Sequence, residues 1–270
     1  MLTRAQTAEF DRVGFVRLSG VFGDADAVRM RERVWAALAA HHGMRQATPE
    51  TWTVQQPRHF QALTRAAVFD ALGSPALTGA IDDLLGCETW EPPAHWGQPL
   101  ITFPGSGAAW DVPRAQWHID WPARGPGHPL MGLKVLAFLG PVLRRGGGTV
   151  ILSGSHHLVA RHAAQSDNRP SGHSSSVRSA LMREHPWLRE LWAGDTTADR
   201  IGLFMHRGTT IAGIDLQVVE LTGAPGDVIL LHPWLFHAPA PNRLATPRMM
   251  VGHNVNTAPG RAHHAPAAPP

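Results

Sequence analysis

Within Gln116-Trp117-His118-Ile119-Asp120 an imidazole and a carboxylate stand two residues apart, so that on a β-strand both would project to one face. Both are metal ligands. A second histidine, His237, closes the apolar run Leu230-Leu231-His232-Pro233-Trp234-Leu235-Phe236-His237 far downstream. Two neutral imidazoles and one carboxylate on one side of a metal leave the opposite positions open, which is the facial triad of non-haem Fe(II) chemistry with dioxygen. Trp117 and Ile119 would face the other way and anchor the strand in packing. The His-x-Asp pair alone is a weak signal in a chain with 17 histidines, and its weight comes from its context.

Eleven residues after His237, beyond the turn-rich Ala238-Pro239-Ala240-Pro241-Asn242-Arg243, stands Arg248. If the chain reverses there, Arg248 opens the next strand and enters the same cavity. Its planar guanidinium suits a carboxylate and could hold the far end of a keto-diacid whose other end chelates the metal. Competing residues stay in view. His232 lies an odd number of residues from His237, faces the opposite way on a regular strand and reads as a packing histidine. Arg243 sits in the turn, where a solvated arginine is the ordinary expectation. Lys134 either points into the barrel, touching the co-substrate, or reaches solvent. Thr102, Gln116 and Thr149 lie on expected strands that could line the cavity. His156 and His157, after Gly154-Ser155, read as ordering a loop near the site rather than as a second metal site. Trp110, Trp121, Trp187, Trp192 and Trp234 suggest an aromatic-lined substrate pocket. Trp234 fits the core best, while Trp121, between Asp120 and Pro122, and Trp110 are the candidate pocket walls.

Helices must come first and a β-core second. Thr7 would cap a short helix through Phe10 and Val13, followed by a strand over 14–18. Asp24 is the expected N-cap of a helix ending at His41-His42-Gly43, and Ser74-Pro75 opens another that Gly86 ends. From about Pro99, short apolar segments between Gly and Pro predict strands of a barrel or sandwich at 100–103, 116–120, 131–139, 149–152, 209–220, 228–236 and 248–255. The chain divides into a helical part, 1–98, and a β-core, about 99–256, together one domain. An insertion over 160–208 carries a polar, loop-like stretch at 165–176, a candidate lid, and a helix at 179–192. The Ala-, His- and Pro-rich tail, 257–270, is expected to be disordered.

These features together resemble the phytanoyl-CoA dioxygenase-like (PhyH) family of Fe(II)/2-oxoglutarate-dependent oxygenases. The resemblance rests on Phe10-x-x-x-Gly14-Phe15-Val16, His118-x-Asp120, Gly147-Gly148-Thr149-Val150-Ile151-Leu152-Ser153-Gly154-Ser155-His156, Gly226-Asp227-Val228, and His237 followed by Asn242 and Arg248. It covers about the first 255 residues. It implies a mainly β fold with flanking helices around a double-stranded β-helix (jelly-roll, cupin-like) core. It also implies His118, Asp120 and His237 as iron ligands, and Arg248 on the distal carboxylate of 2-oxoglutarate. The implied reaction consumes O2 and releases succinate and CO2 as a small organic metabolite is hydroxylated or otherwise oxidised, with secondary metabolism the leaning. The related halogenases carry a small residue at the carboxylate position, so Asp120 favours oxygenation over halogenation.

Composition sets the outer limits. Of 270 residues, 43% are hydrophobic and 17% charged, which is ordinary for a globular protein. No apolar run reaches the ~18 residues of a membrane span, and Met1 to Phe10 lacks a signal-peptide pattern, so neither membrane nor export is expected. The single cysteine, Cys87, allows no internal disulfide, and the cytoplasm is the expected compartment. A net charge of +3, with scattered arginines and no recognised motif, argues against nucleic acid and for a small-molecule substrate. Two other classes stay open at this level: a catalytically silent β-helix binding protein, and a cupin-type metalloenzyme that uses no 2-oxoglutarate.

Overall fold

A computed structural model describes residues 1–107, 109–165, 174–194 and 197–258. The chain opens with α1 (Arg4–Val13), capped by Thr3 rather than Thr7. Thr3 wins because its hydroxyl accepts from Gln6 N while the Gln6 side chain returns to the Thr3 backbone, closing a capping box. β1 (Phe15–Leu18) leads to α2 (Asp24–His42), whose N-cap is Gly23, so Asp24 is the first helical residue, with its charge at the positive end of the helix dipole. α3 (Gln61–Thr64) is one turn, and α4 (Pro75–Leu85) begins at Ser74-Pro75 and ends at Gly86 as the sequence predicts.

The β-core follows, with β2 (Pro99–Thr102), β3 (Gly132–Phe138) and β4 (Thr149–Ser153). Next come α5 (Ser155–Gln165), α6 (Ser174–Glu184), α7 (Pro186–Ala193) and a π-helical turn, Ile201–Arg207. The remaining strands are β5 (Thr209–Ile211), β6 (Ile214–Glu220), β7 (Val228–Leu231), β8 (His237–Pro239) and β9 (Arg248–Asn256). They form two antiparallel sheets, a larger one in the order β1-β7-β3-β9-β2 and a smaller one in the order β5-β6-β4-β8.

Strand alternation sorts the side chains into three layers of core. Leu136, Phe138, Ile229, Leu231 and Met250 of the large sheet meet Ile151 of the small one, so the two sheets face each other. The odd-numbered residues of β3, Leu133, Val135 and Ala137, point outward onto Met30, Val34, Leu77 and Ile81 of α2 and α4. On the small sheet Val150, Leu152 and Val218 point outward onto Leu158, Leu181 and Leu188 of α5, α6 and α7. Two facing sheets with helices on both outer sides make a jelly-roll, double-stranded β-helix architecture.

Several expected segments differ. Residues 116–120 form no strand, because Gln116 takes φ 66° and only His118 pairs, as a single bridge. The expected strand 209–220 is a hairpin that turns at Ala212-Gly213, both at positive φ. The run 228–236 stops pairing at Leu231, where the chain turns and Leu235 N donates to His232 O. Residues 166–173 of the candidate lid lie outside the described residues; its flanks belong to α5 and α6, and Pro186 starts α7 after a break in the expected 179–192 helix. Of the expected disordered tail, Thr257 pairs with Trp90 and Ala258 N donates to Thr89 O, while 259–270 lie outside the described residues. No helix among the described residues is long and apolar enough to cross a membrane.

Candidate metal centre

His118 and His237 are paired neighbours at the edge of the small sheet. Each backbone N–H donates to the other residue's carbonyl at 3.0 Å, and His237 is also in register with Ile151 of β4. The left-handed turn at Gln116 brings its carbonyl to 2.8 Å from His118 Nδ1, and Leu235 O lies 3.0 Å from His237 Nδ1. A ring nitrogen facing a carbonyl must be the donor, so both Nε2 atoms keep a free lone pair. The rings stand 4.2 Å apart, centroid to centroid.

Asp120 completes the group. Its Oδ1 lies 3.7 Å from His118 Nε2 and its Oδ2 3.6 Å from His237 Nε2, and one ligand atom from each of the three residues lies within 4.8 Å of the others. Asp120 Oδ2 is buried without a hydrogen-bond partner, which is costly unless a cation is at hand. Burial pushes His237 down to about 4, further lowered by His118 against the pull of Asp120, so its imidazole is neutral at pH 7, the form that binds metal.

A cavity of about 550 Å³ opens onto the centre. His118, His237, Thr102, Gln116, Lys134, Thr149 and Arg248 all line it, and residues 56–61 form its outer wall. Lys134 points inward, 3.4 Å from Asp120 Oδ2 and 2.8 Å from Asn254 Oδ1. Arg248 is 6% exposed, makes no ion pair among the described residues, and has an Nε without a hydrogen-bond partner. Burial lowers it to about 10, which leaves it a buried cation aimed into the cavity. A second cavity of about 460 Å³ shares Gln56, Thr102, Gln116 and Pro239 with the first and extends toward Arg114 and Arg243.

The remaining candidates are placed elsewhere. Trp121 donates from Nε1 to Asn256 Oδ1 and packs where a Cβ on Gly132 would collide with it; Trp110 is buried in the same outer core, and neither lines the 550 Å³ cavity. His232 is half-buried, packed between Phe10, His156 and Trp234, and desolvation there holds it well below the usual imidazole range. His156 and His157 stand in the first turn of α5 rather than ordering a loop by the site, with His156 Nε2 2.8 Å from Asp11 O. Arg243 donates to Gly105 O. Sequence reasoning missed Asn254 and residues 56–61. Asn254 shares the inward parity of Arg248 on β9 and lies opposite Lys134, a signal available once the register is known; residues 56–61 carry no periodic signal at all.

No curated protein matches the chain. Among solved structures, HygX from Streptomyces hygroscopicus with nickel and 2-oxoglutarate bound is 16% identical, covers 95% of this chain and 87% of its own, and has a TM-score of 0.57. AviO1 from Streptomyces viridochromogenes Tue57 is 17% identical over 100% of this chain and 98% of its own, with a TM-score of 0.54. EvdO2 from Micromonospora carbonacea var. aurantiaca, complexed with 2-oxoglutarate, is 17% identical over 96% and 92%, at 0.53. At such identities the likeness speaks for the fold. The sequence itself goes further, because the family described as Phytanoyl-CoA dioxygenase (PhyH) matches residues 10–250, and the chain belongs to that family.

Proposed function

We propose that His118, Asp120 and His237 hold Fe(II), that Arg248 receives the distal carboxylate of 2-oxoglutarate, and that the protein oxidises a small organic metabolite. Membership of the family makes it an Fe(II)- and 2-oxoglutarate-dependent oxygenase. The observation that carries the assignment is the convergence of two imidazole Nε2 atoms on the Asp120 carboxylate, one facing each of its oxygens, so that one ligand atom from each residue lies within 4.8 Å of the others. This donor set fits Fe(II), with neutral nitrogens and one oxygen anion leaving open positions. Iron bound there, with 2-oxoglutarate and dioxygen, supplies the oxidant while succinate and CO2 are released.

The chain's own residues do the positioning. The backbone carbonyls of Gln116 and Leu235 fix both imidazoles by their Nδ1–H groups. Arg248, buried and unpaired, presents its fork to a carboxylate, and Thr102, Gln116 and Thr149 line the same wall. Residues 56–61 line the same cavity. We take residues 1–256 as one catalytic unit, since the helical part supplies that stretch of the lining. Asp120 supplies the carboxylate ligand, which favours oxygenation over halide transfer. HygX has been seen with hygromycin B bound, and SnoN is an epimerase in complex with nogalamycin RO; both support a natural-product-like substrate in secondary metabolism. The single cysteine, with no disulfide to protect, is consistent with a cytoplasmic reaction.

Replacement of the ligands tests the metal assignment. His118→Ala and Asp120→Ala should each abolish tight binding of Fe(II) in anaerobic titration; full retention of affinity in both would overturn it.

A further inference from the structure

Lys134 is the only lysine in the chain, and it stands beside the one carboxylate of the metal centre. Its side chain is 18% exposed and projects inward from β3. Asn254, directly across on β9, holds its ammonium at 2.8 Å. The ammonium is 3.4 Å from Asp120 Oδ2, the oxygen that faces His237 Nε2 and has no other polar contact. A fixed cation therefore sits within a few ångströms of where a dication would bind. Resting on the metal assignment above, we infer that Lys134 is a positioning residue that strengthens the mutual dependence of metal and 2-oxoglutarate binding beyond what chelation alone supplies.

Without metal, the ammonium compensates the buried Asp120 carboxylate. A metal ion that takes Asp120 draws the carboxylate charge away from Lys134 and sets two positive charges beside the ammonium. Asn254 keeps that ammonium from swinging aside, so metal alone binds less tightly than the three ligands would otherwise allow. A chelating dianion removes the penalty by placing its negative charge beside both cations. Arg248 cannot do the same work, because it opens β9 six residues away from Asn254 and stands free of Asp120. Coupling of this kind is reciprocal, so the co-substrate gains from the metal what the metal gains from it.

The test uses Mn(II), titrated anaerobically with and without saturating 2-oxoglutarate and followed by the electron paramagnetic resonance of the free ion. Lys134→Met removes the charge at nearly constant shape, and Lys134→Gln removes it while keeping a polar group at that position. Each should bind Mn(II) alone about tenfold more tightly, the size of effect typical of groups that touch a metal ligand, and should lose about tenfold of the tightening by 2-oxoglutarate. Lys134→Arg should stay close to the unaltered protein. Arg248→Ala should weaken 2-oxoglutarate without changing Mn(II) alone, which separates the two cations. Unchanged or weaker Mn(II) binding in folded Met and Gln variants, or an unchanged 2-oxoglutarate effect, would overturn the role of Lys134. Failure of the unaltered protein to bind Mn(II) at all would overturn the metal assignment itself.

Discussion

Both histidines of the proposed metal centre are held by the same local device, a ring Nδ1–H donated to the carbonyl two residues earlier, Gln116 for His118 and Leu235 for His237. The left-handed Gln116 is explained by this, since its turn presents the carbonyl to the ring, and strain of about 1 kcal/mol at a site residue is common. Other histidines do the opposite of binding. His156 stacks on His157 at 4.0 Å and on His232 at 4.6 Å, and burial, then the neighbouring His157, pushes it down to about 4 from 6.5. The unfolded chain takes up a proton below 6.5 that the native His156 refuses, so its stabilising contribution is complete above that value and falls away as pH drops toward 4. Urea unfolding at about pH 7 and pH 5 should show a loss of roughly 2 kcal/mol from this residue. His156→Gln should flatten that slope, and an equally steep profile in the variant would contradict the assignment.

The connection from β8 to β9 carries the chain from His237 to Arg248, and Asn242 organises it. Fully buried, Asn242 donates to Thr102 O and Thr246 O and accepts from Leu244 N. Gly147, at φ 80°, leaves room for it, because a Cβ there would come within 2.9 Å of the Asn242 Cβ. Asn242→Ala would strand the buried carbonyl of Thr102, remove the bond to the part-exposed Thr246 O and cost about 2 kcal/mol in chemical unfolding. With Arg248 no longer fixed at the end of its turn, 2-oxoglutarate affinity should fall while Fe(II) affinity holds; equal loss of both would mean that Asn242 serves the whole core instead. Elements of this kind were legible in part. Apolar alternation located β3, β4 and β9 to within a residue or two, whereas the parity argument between His232 and His237 assumed a continuous strand that the turn after Leu231 breaks. The His118 segment was not legible as it is, because one left-handed residue and one bridge replace a strand, and neither leaves a trace in hydrophobic pattern.

At the scale of the molecule the centre exists only because two sheets face each other. The small sheet and the segment bridged to it bring His118, Asp120, His237 and Thr149; the large sheet brings Lys134, Asn254, Thr102 and Arg248. The chemistry was readable in sequence because residue types and order survive without geometry. The walls were not, since tryptophans that suit a pocket equally suit a core, and Trp110 and Trp121 are packed in the layer beneath α5 to α7. Whether metal, co-substrate and arginine form one site is decided by anaerobic titration of Fe(II)-loaded protein with 2-oxoglutarate. A weak visible charge-transfer band should appear as the co-substrate chelates the iron, and Arg248→Ala should require more 2-oxoglutarate to reach it, since a charge-assisted contact is worth ~1.5–3 kcal/mol. Iron-loaded protein that shows no band at any concentration would contradict the account and leave a β-helix that binds without this chemistry.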